Sequence, residues 1–213
     1  MPCYIFDVDD TLVHYVDFNL REWYEFIAEP VARRYGVPLS FDIWKGIIEG
    51  KLSRRYTEKY GLSAKQFWKE VDKRNLEYRK MMLRNGRLKA YDDVLVLREI
   101  KGKKIAWSVS SEECMRFVLS TFSLLKFFDF IIGKDYEDYA YLDEVKPSPR
   151  FIEIIKEKME CEKCIVIGDS ERDMLAAKGA NCIGVFINRE GKKSEHADFT
   201  ISSLEGLLNK NFL

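Results

Sequence analysis

Apolar residues along this chain follow two rhythms: short unbroken runs, and stripes spaced three or four apart. The runs Cys3–Val8, Lys104–Trp107, Phe128–Ile132, Cys164–Ile167 and Cys182–Ile187 predict buried strands. A strand covered on both faces has no polar side to alternate, so its apolar residues run on continuously. Helical stripes lie between them. Met115, Val118, Leu119 and Phe122 share one face of Glu112–Phe122; Phe151, Ile152 and Ile155 share one face of Pro149–Met159; Met174–Ala180 follows the fourth strand. Strand alternating with helix predicts an α/β fold, a doubly wound parallel sheet with a Rossmann-like core.

The rhythm breaks after the first strand. About 75 residues follow Leu12 with only helical character. Asp17 is expected to start a helix that runs to Tyr35, with Gly36 as its stop and Pro38 just beyond. Pro30 inside it predicts a kink or a break. Ser63 is the expected N-cap of a long helix through Leu83, closed by Asn85-Gly86. Phe67, Val71, Leu76, Tyr78 and Met82 give that helix an apolar surface. The expected division is an α/β core of residues 1–14 and 88–213, with the sheet resuming near Val94, and an inserted α-helical module of residues 15–87.

At 213 residues the chain is long enough for a well-buried core. No apolar run reaches the roughly 18 residues of a membrane span. The run Met1–Asp7 lacks the basic region and long apolar stretch of a signal peptide, so a cytoplasmic location is expected. Neither a membrane nor a nucleic acid is an expected partner. Formal net charge is zero, yet between Lys51 and Lys89 there are 13 Lys or Arg against 4 Asp or Glu. That basic segment could draw an anionic substrate toward the acidic remainder, or it could be a set of solvated helix faces. Five cysteines stand at 3, 114, 161, 164 and 182. Cys161 and Cys164 form a CxxC, but a zinc site commonly wants a second such pair and none exists. A structural role is expected, with a 161–164 disulfide left open.

Candidate chemistry begins where the first strand ends, in Asp7-Val8-Asp9-Asp10-Thr11-Leu12. Ligand sites of open α/β sheets gather at the carboxyl ends of strands. Three carboxylates in four residues repel one another, and a divalent cation with hard oxygen ligands, Mg²⁺, resolves that repulsion. If the strand persists far enough, alternation points Asp7 and Asp9 to one side. The bland alternative is a polar loop with a helix cap at Asp10 or Thr11. A second acidic group, Gly168-Asp169-Ser170-Glu171-Arg172-Asp173, follows the fourth strand. Asp169 and Asp173 are four residues apart, so the turn of a helix brings both carboxylates toward one point. Between the two groups stands Val145-Lys146-Pro147-Ser148-Pro149, whose Lys146 can hold a phosphoryl oxygen. Ser108, after the Ile105–Trp107 strand, can hydrogen-bond the same group, and Ser110 shares its parity.

DVDDTL, a small hydroxyl residue after the second strand, KPSP and GDSERD, in that order, resemble the four motifs of the haloacid dehalogenase-like hydrolase superfamily. The resemblance extends over nearly the whole chain, including Phe128–Gly133 and Ala197–Ile201, and the helical insertion resembles the family's helical cap. It implies a phosphatase with Asp7 as nucleophile and Asp9 as acid/base, and with Thr11, Ser108 and Lys146 holding the phosphoryl group. Mg²⁺ would be held by Asp7, the backbone carbonyl of Asp9 and Asp169, with Asp173 either binding the ion or orienting a water on it. The second Asp of the motif is present as Asp9, which speaks against a true dehalogenase. Asp10 stands where many relatives have Gly. The stretch 134–145, rich in Tyr136, Tyr139, Tyr141 and acids, is longer than the usual connection and is expected to be a surface or interface loop.

The expected activity is therefore Mg²⁺-dependent hydrolysis of a small phosphorylated metabolite through an aspartyl-phosphate. Arg54 and Arg55 are candidates for the substrate's second anionic group. A phosphomutase using the same intermediate is the alternative; phosphoglycolate, sugar phosphates and nucleoside monophosphates all remain open as substrates. A signalling receiver module would instead phosphorylate Asp135 and would lack the insertion.

Overall fold

Cys3, Ile5 and Phe6 are wholly buried, which gives the first strand no polar face and makes it a centre rather than an edge. The computed structural model describes residues 1–134, 142, 144–189, 191, 193–209 and 212. That strand is β1 (Pro2–Asp7), followed by β2 (Val13–Tyr15), α1 (Leu20–Ile27), α2 (Glu29–Arg34), α3 (Phe41–Ile48), α4 (Ala64–Arg84) and β3 (Leu88–Ala90). Then come β4 (Lys103–Ser111), α5 (Glu112–Thr121), β5 (Phe130–Lys134), α6 (Arg150–Lys158), β6 (Lys163–Gly168), α7 (Glu171–Gly179), β7 (Ile183–Ile187), β8 (Phe199–Ile201) and α8 (Gly206–Asn209).

Six strands form one sheet in the order β5-β4-β1-β6-β7-β8, and β2 pairs with β3 in a small second sheet. β1 runs parallel to both β4 and β6, β6 to β7, and β7 to β8. The chain builds outward from β1 on one side, then returns and builds outward on the other. Strand order thus reverses at β1, and a crevice at the carboxyl ends of such strands is the ligand site of doubly wound sheets. The α/β architecture expected from the apolar runs is the one observed.

Two compact units divide the chain. Met1–His14, Lys89–Gly133 and Glu144–Leu213 make the α/β unit; Tyr15–Leu88, with Lys134 and Leu142, make the helical one. Within the helical unit, α4 buries Phe67, Val71, Leu76, Tyr78 and Met82, the stripe its spacing predicts. Trp44 packs against Trp23 and Trp68 with ring centres 5.5 and 5.4 Å apart. No helix among the described residues is long and apolar enough to cross a membrane.

Several local expectations fail, each for a physical reason. The first helix starts from Asn19, whose side chain accepts from the amides of Arg21 and Glu22; Asp17 is left-handed at φ 52° and lies outside it. Pro30 does break the segment, with Ala28 between α1 and α2. The sheet does not resume near Val94. Asp92–Arg98 is a 3-10 helix that buries Val94, Val96 and Leu97, because β4 and β6 occupy both edges of β1. The CxxC does not close on itself. Cys161 bonds Cys3 and Cys164 bonds Cys182, since β6 lies beside β1 with Cys164 opposite Cys3. The 134–145 stretch and Asp135 lie outside the described residues, apart from Lys134, Leu142, Glu144 and Val145.

Candidate active site

β1 and β6 run side by side with Phe6 opposite Ile167, so both strands release the chain at the same level. Asp7 is the last residue of β1, and Asp169 is the first beyond β6. Asp7 also lies opposite Trp107 of β4, which places Ser108 one residue past it in register. Ser108 and Ser110 are both buried within β4, and the Ser108 hydroxyl accepts from the Ser110 amide at 3.1 Å.

After Asp7 the strand stops. The amides of Leu12 and Val13 both donate to the Val8 carbonyl, and Asp10 takes a left-handed φ of 59°. The alternation that would have aligned Asp7 with Asp9 therefore does not apply. A left-handed position suits Gly and is tolerated by Asp, which accounts for an acid at a place where Gly is common. Thr11 is fully buried, and its hydroxyl donates to Asp169 Oδ1 at 3.4 Å.

α7 begins just past Asp169 and places Asp173 in its first turn. Asp173 Oδ2 accepts from the Ser170 amide at 3.2 Å and from the Ser170 hydroxyl at 2.5 Å, so that oxygen closes the start of the helix. Oδ1 faces Lys146 at 2.6 Å. Gly168 makes this packing possible: a Cβ there would stand 2.5 Å from Asp173 Cγ.

Lys146, 5% exposed, reaches Asp7 Oδ1 at 2.5 Å and lies 4.2 Å from the centre of the Trp107 ring. Burial pulls its ammonium down, but the carboxylates of Asp173 and Asp7 outweigh that, and its pKa ends above the ordinary lysine value. Burial pushes Asp7 well above the usual carboxylate range; Lys146 opposes this, while Asp173 and Asp169 push the same way. One oxygen each of Asp7, Asp169 and Asp173 lie within 4.8 Å of one another.

That donor set fits a hard divalent cation. Three converging carboxylates in a desolvated place are mutually repulsive, and burial with the neighbouring acids pushes the Asp7 carboxyl up. A cation held by oxygen ligands offsets both effects.

The structure thus brings together Asp7 and Thr11, Lys146, and Asp169 and Asp173 from three separate stretches of chain. Asp9 is half-buried two residues past β1, its backbone bridging Val13. Arg54 and Arg55 belong to the helical unit and differ from each other. Arg54 is buried, 5.0 Å from the Trp68 ring centre, whereas Arg55 pairs at 3.6 Å with Glu58 near the surface. Two contributors carry no role in the sequence reading. Trp107 supports the lysine, and the Arg172 guanidinium donates to the Lys146 carbonyl through both Nε, at 3.1 Å, and Nη2. The only hint of either was its position, beside Ser108 and inside GDSERD.

A model of the haloacid dehalogenase-like hydrolase family matches residues 1–181. No curated protein matches the chain. Similar solved structures include a HAD phosphatase from Thermococcus onnurineus, 20% identical with a TM-score of 0.61 over 98% of this chain and 97% of that one. CbbY from Rhodobacter sphaeroides in complex with phosphate is 15% identical with a TM-score of 0.68, over 95% and 94%. A hydrolase from Pseudomonas syringae is 19% identical with a TM-score of 0.65, over 98% and 97%. At such identities the likeness establishes the fold.

Proposed function

Because the chain belongs to the haloacid dehalogenase-like hydrolases, we propose that it is a Mg²⁺-dependent phosphatase of a small phosphorylated metabolite. The observation that carries this reading is the meeting of Asp7, Asp169 and Asp173 with Lys146 at the carboxyl end of the sheet.

The Asp7 carboxylate attacks phosphorus, the bond from phosphorus to the leaving oxygen breaks, and Asp9 hands a proton to the departing alcohol. Asp9, now ionised, takes a proton from the water that attacks phospho-Asp7. Inorganic phosphate leaves and Asp7 is restored. Lys146, Thr11 and Ser108 hold phosphoryl oxygens through these steps, and the ammonium weakens the repulsion between carboxylate and phosphate dianion. Mg²⁺ would be held by Asp7, the Asp9 carbonyl, Asp169 and Asp173, and when bound it supplies further neutralisation of that charge. Arg54 and Arg55 are the proposed contacts for a second anionic group of the substrate.

The test is phosphate release from an aryl phosphate, followed by a panel of phosphorylated metabolites. Activity should require Mg²⁺, and Asp7→Asn should lower it by at least about 10³-fold, as loss of a nucleophile does. Turnover retained by that variant refutes the mechanism. Inorganic phosphate as the main product separates hydrolysis from the mutase alternative, which returns the group to a sugar.

A further inference from the structure

Arg189 lies two residues past β7, far in sequence from any proposed catalytic motif, yet it is 13% exposed and makes three hydrogen bonds. Its Nη1 donates to Asp93 Oδ2 at 2.6 Å and its Nη2 to Asp93 Oδ1 at 3.0 Å, a two-pronged pairing that fixes the plane of the guanidinium. The same Nη2 donates to the Thr11 carbonyl at 3.0 Å. The guanidinium carbon sits 3.8 Å from the centre of the Tyr91 ring, and the Tyr91 amide donates to the next carbonyl of the loop, that of Leu12, at 3.1 Å. Asp93 is itself held, its Oδ2 accepting from the Leu204 amide at 2.8 Å.

We propose that Arg189 is a positioning residue for the catalytic loop: it clamps the backbone after Asp7 and so aims the Thr11 hydroxyl and holds the nucleophile's loop still. Backbone hydrogen bonds close the loop on itself, the Leu12 and Val13 amides on the Val8 carbonyl and the Asp10 amide on the Val13 carbonyl, while Arg189 and Tyr91 tie it to later parts of the chain. It is a tight turn with a left-handed residue at Asp10, and its carbonyls at 11 and 12 point away from the strand ladder toward Arg189 and Tyr91. A shift of the Thr11 backbone that released its carbonyl from Arg189 would carry the Thr11 Cα with it and so move the hydroxyl that lies 3.4 Å from Asp169 Oδ1. Charge placement adds to the fit. The cation is neutralised by Asp93, so it anchors the loop without competing with Lys146 for the phosphoryl group. Tyr91 also stacks on His14 at 4.6 Å, so the stretches that flank the helical insertion meet at this anchor. A displacement of about 1 Å at a reacting group can lower turnover about 10²-fold, which makes a clamp of this kind worth a measurable part of the rate.

The kinetic arm of the test rests on the phosphatase reading, and the exchange arm does not. Arg189→Ala should lower kcat about 10- to 100-fold, well below its melting temperature, with KM within about threefold, because the side chain touches the loop and not the substrate. Millimolar guanidinium ion should restore part of that loss, which a general weakening of the fold would not allow. Hydrogen exchange at the Asp10, Leu12 and Val13 amides should quicken about tenfold, while the surface variant Arg98→Ala leaves them unchanged. If Arg189→Ala does not fold, Arg189→Lys keeps the charge, loses the fork, and should show smaller changes in the same directions. Wild-type kcat together with wild-type exchange in either variant overturns the proposal. Should the wild type release no phosphate from any ester, the functional reading fails and the exchange comparison alone decides the clamp.

Discussion

The two ends of the same strands have opposite characters. At their carboxyl ends β1 and β6 release Asp7 and Asp169, and Asp173 and Lys146 join them there in a desolvated place. At their amino ends the same two strands carry Cys3 and Cys164, buried opposite each other and bonded to Cys161 and Cys182. One end gathers three acids around a single lysine and so carries an excess of negative charge; the other is cross-linked. Chemistry that needs perturbed, closely set acids tends to weaken the fold locally, and the opposite end supplies covalent constraint on the same elements.

The strongest way to break this contrast is to reduce the disulfides. They close loops of 158 and 18 residues, which a chain-entropy treatment values at about 5 and about 3 kcal/mol. A dithiol should therefore lower Tm by on the order of 15 °C, while turnover at a temperature well below both transitions stays within about twofold. A loss of turnover without a loss of Tm would show that the two ends are coupled in the reverse sense. At the carboxyl end, Asp169→Asn should lower turnover about 10²- to 10³-fold, roughly 3–4 kcal/mol, with Tm in metal-free buffer unchanged or slightly higher. The Tm rise on adding Mg²⁺ should vanish in the variant. A Tm several degrees lower would mean that this acid is structural. The smallest effect is expected from Gly168→Ala, where the new Cβ meets Asp173 at 2.5 Å. A destabilisation of about 1–3 kcal/mol by thermal melting, together with reduced turnover, is the outcome that sharpens the contrast. A variant with wild-type melting and rate would show that Asp173 can shift without consequence.

The legible parts of this protein were those written in contiguous residues. Continuous apolar runs marked the sheet because strands covered on both faces tolerate no polar side. Asp7 and Asp169 stood out because acids at strand ends are hard to explain by packing. What could not be read there depends on neighbours in space. Asn19, with Glu22 three positions on, competes with Asp17 as the start of the helix, and only the folded backbone decides between them. Nothing in Cys161-Glu162-Lys163-Cys164 shows that its partners come from β1 and from the start of β7. Trp107, Arg172 and Arg189 act by touching one ring or carbonyl, and such a contact has no spacing rule.

Local periodicity and residue chemistry alone decided the strand and helix alphabet of this chain, the order of its motifs and the identity of the acids and the lysine. Those features follow from forces acting within a few residues. Folding decided that three acids share one place with Lys146, that each half of the CxxC finds a distant partner, and that a guanidinium past β7 grips the turn after β1. Each of these joins residues some 18 to 178 positions apart, and contacts of that reach are set by the order of strands in the sheet.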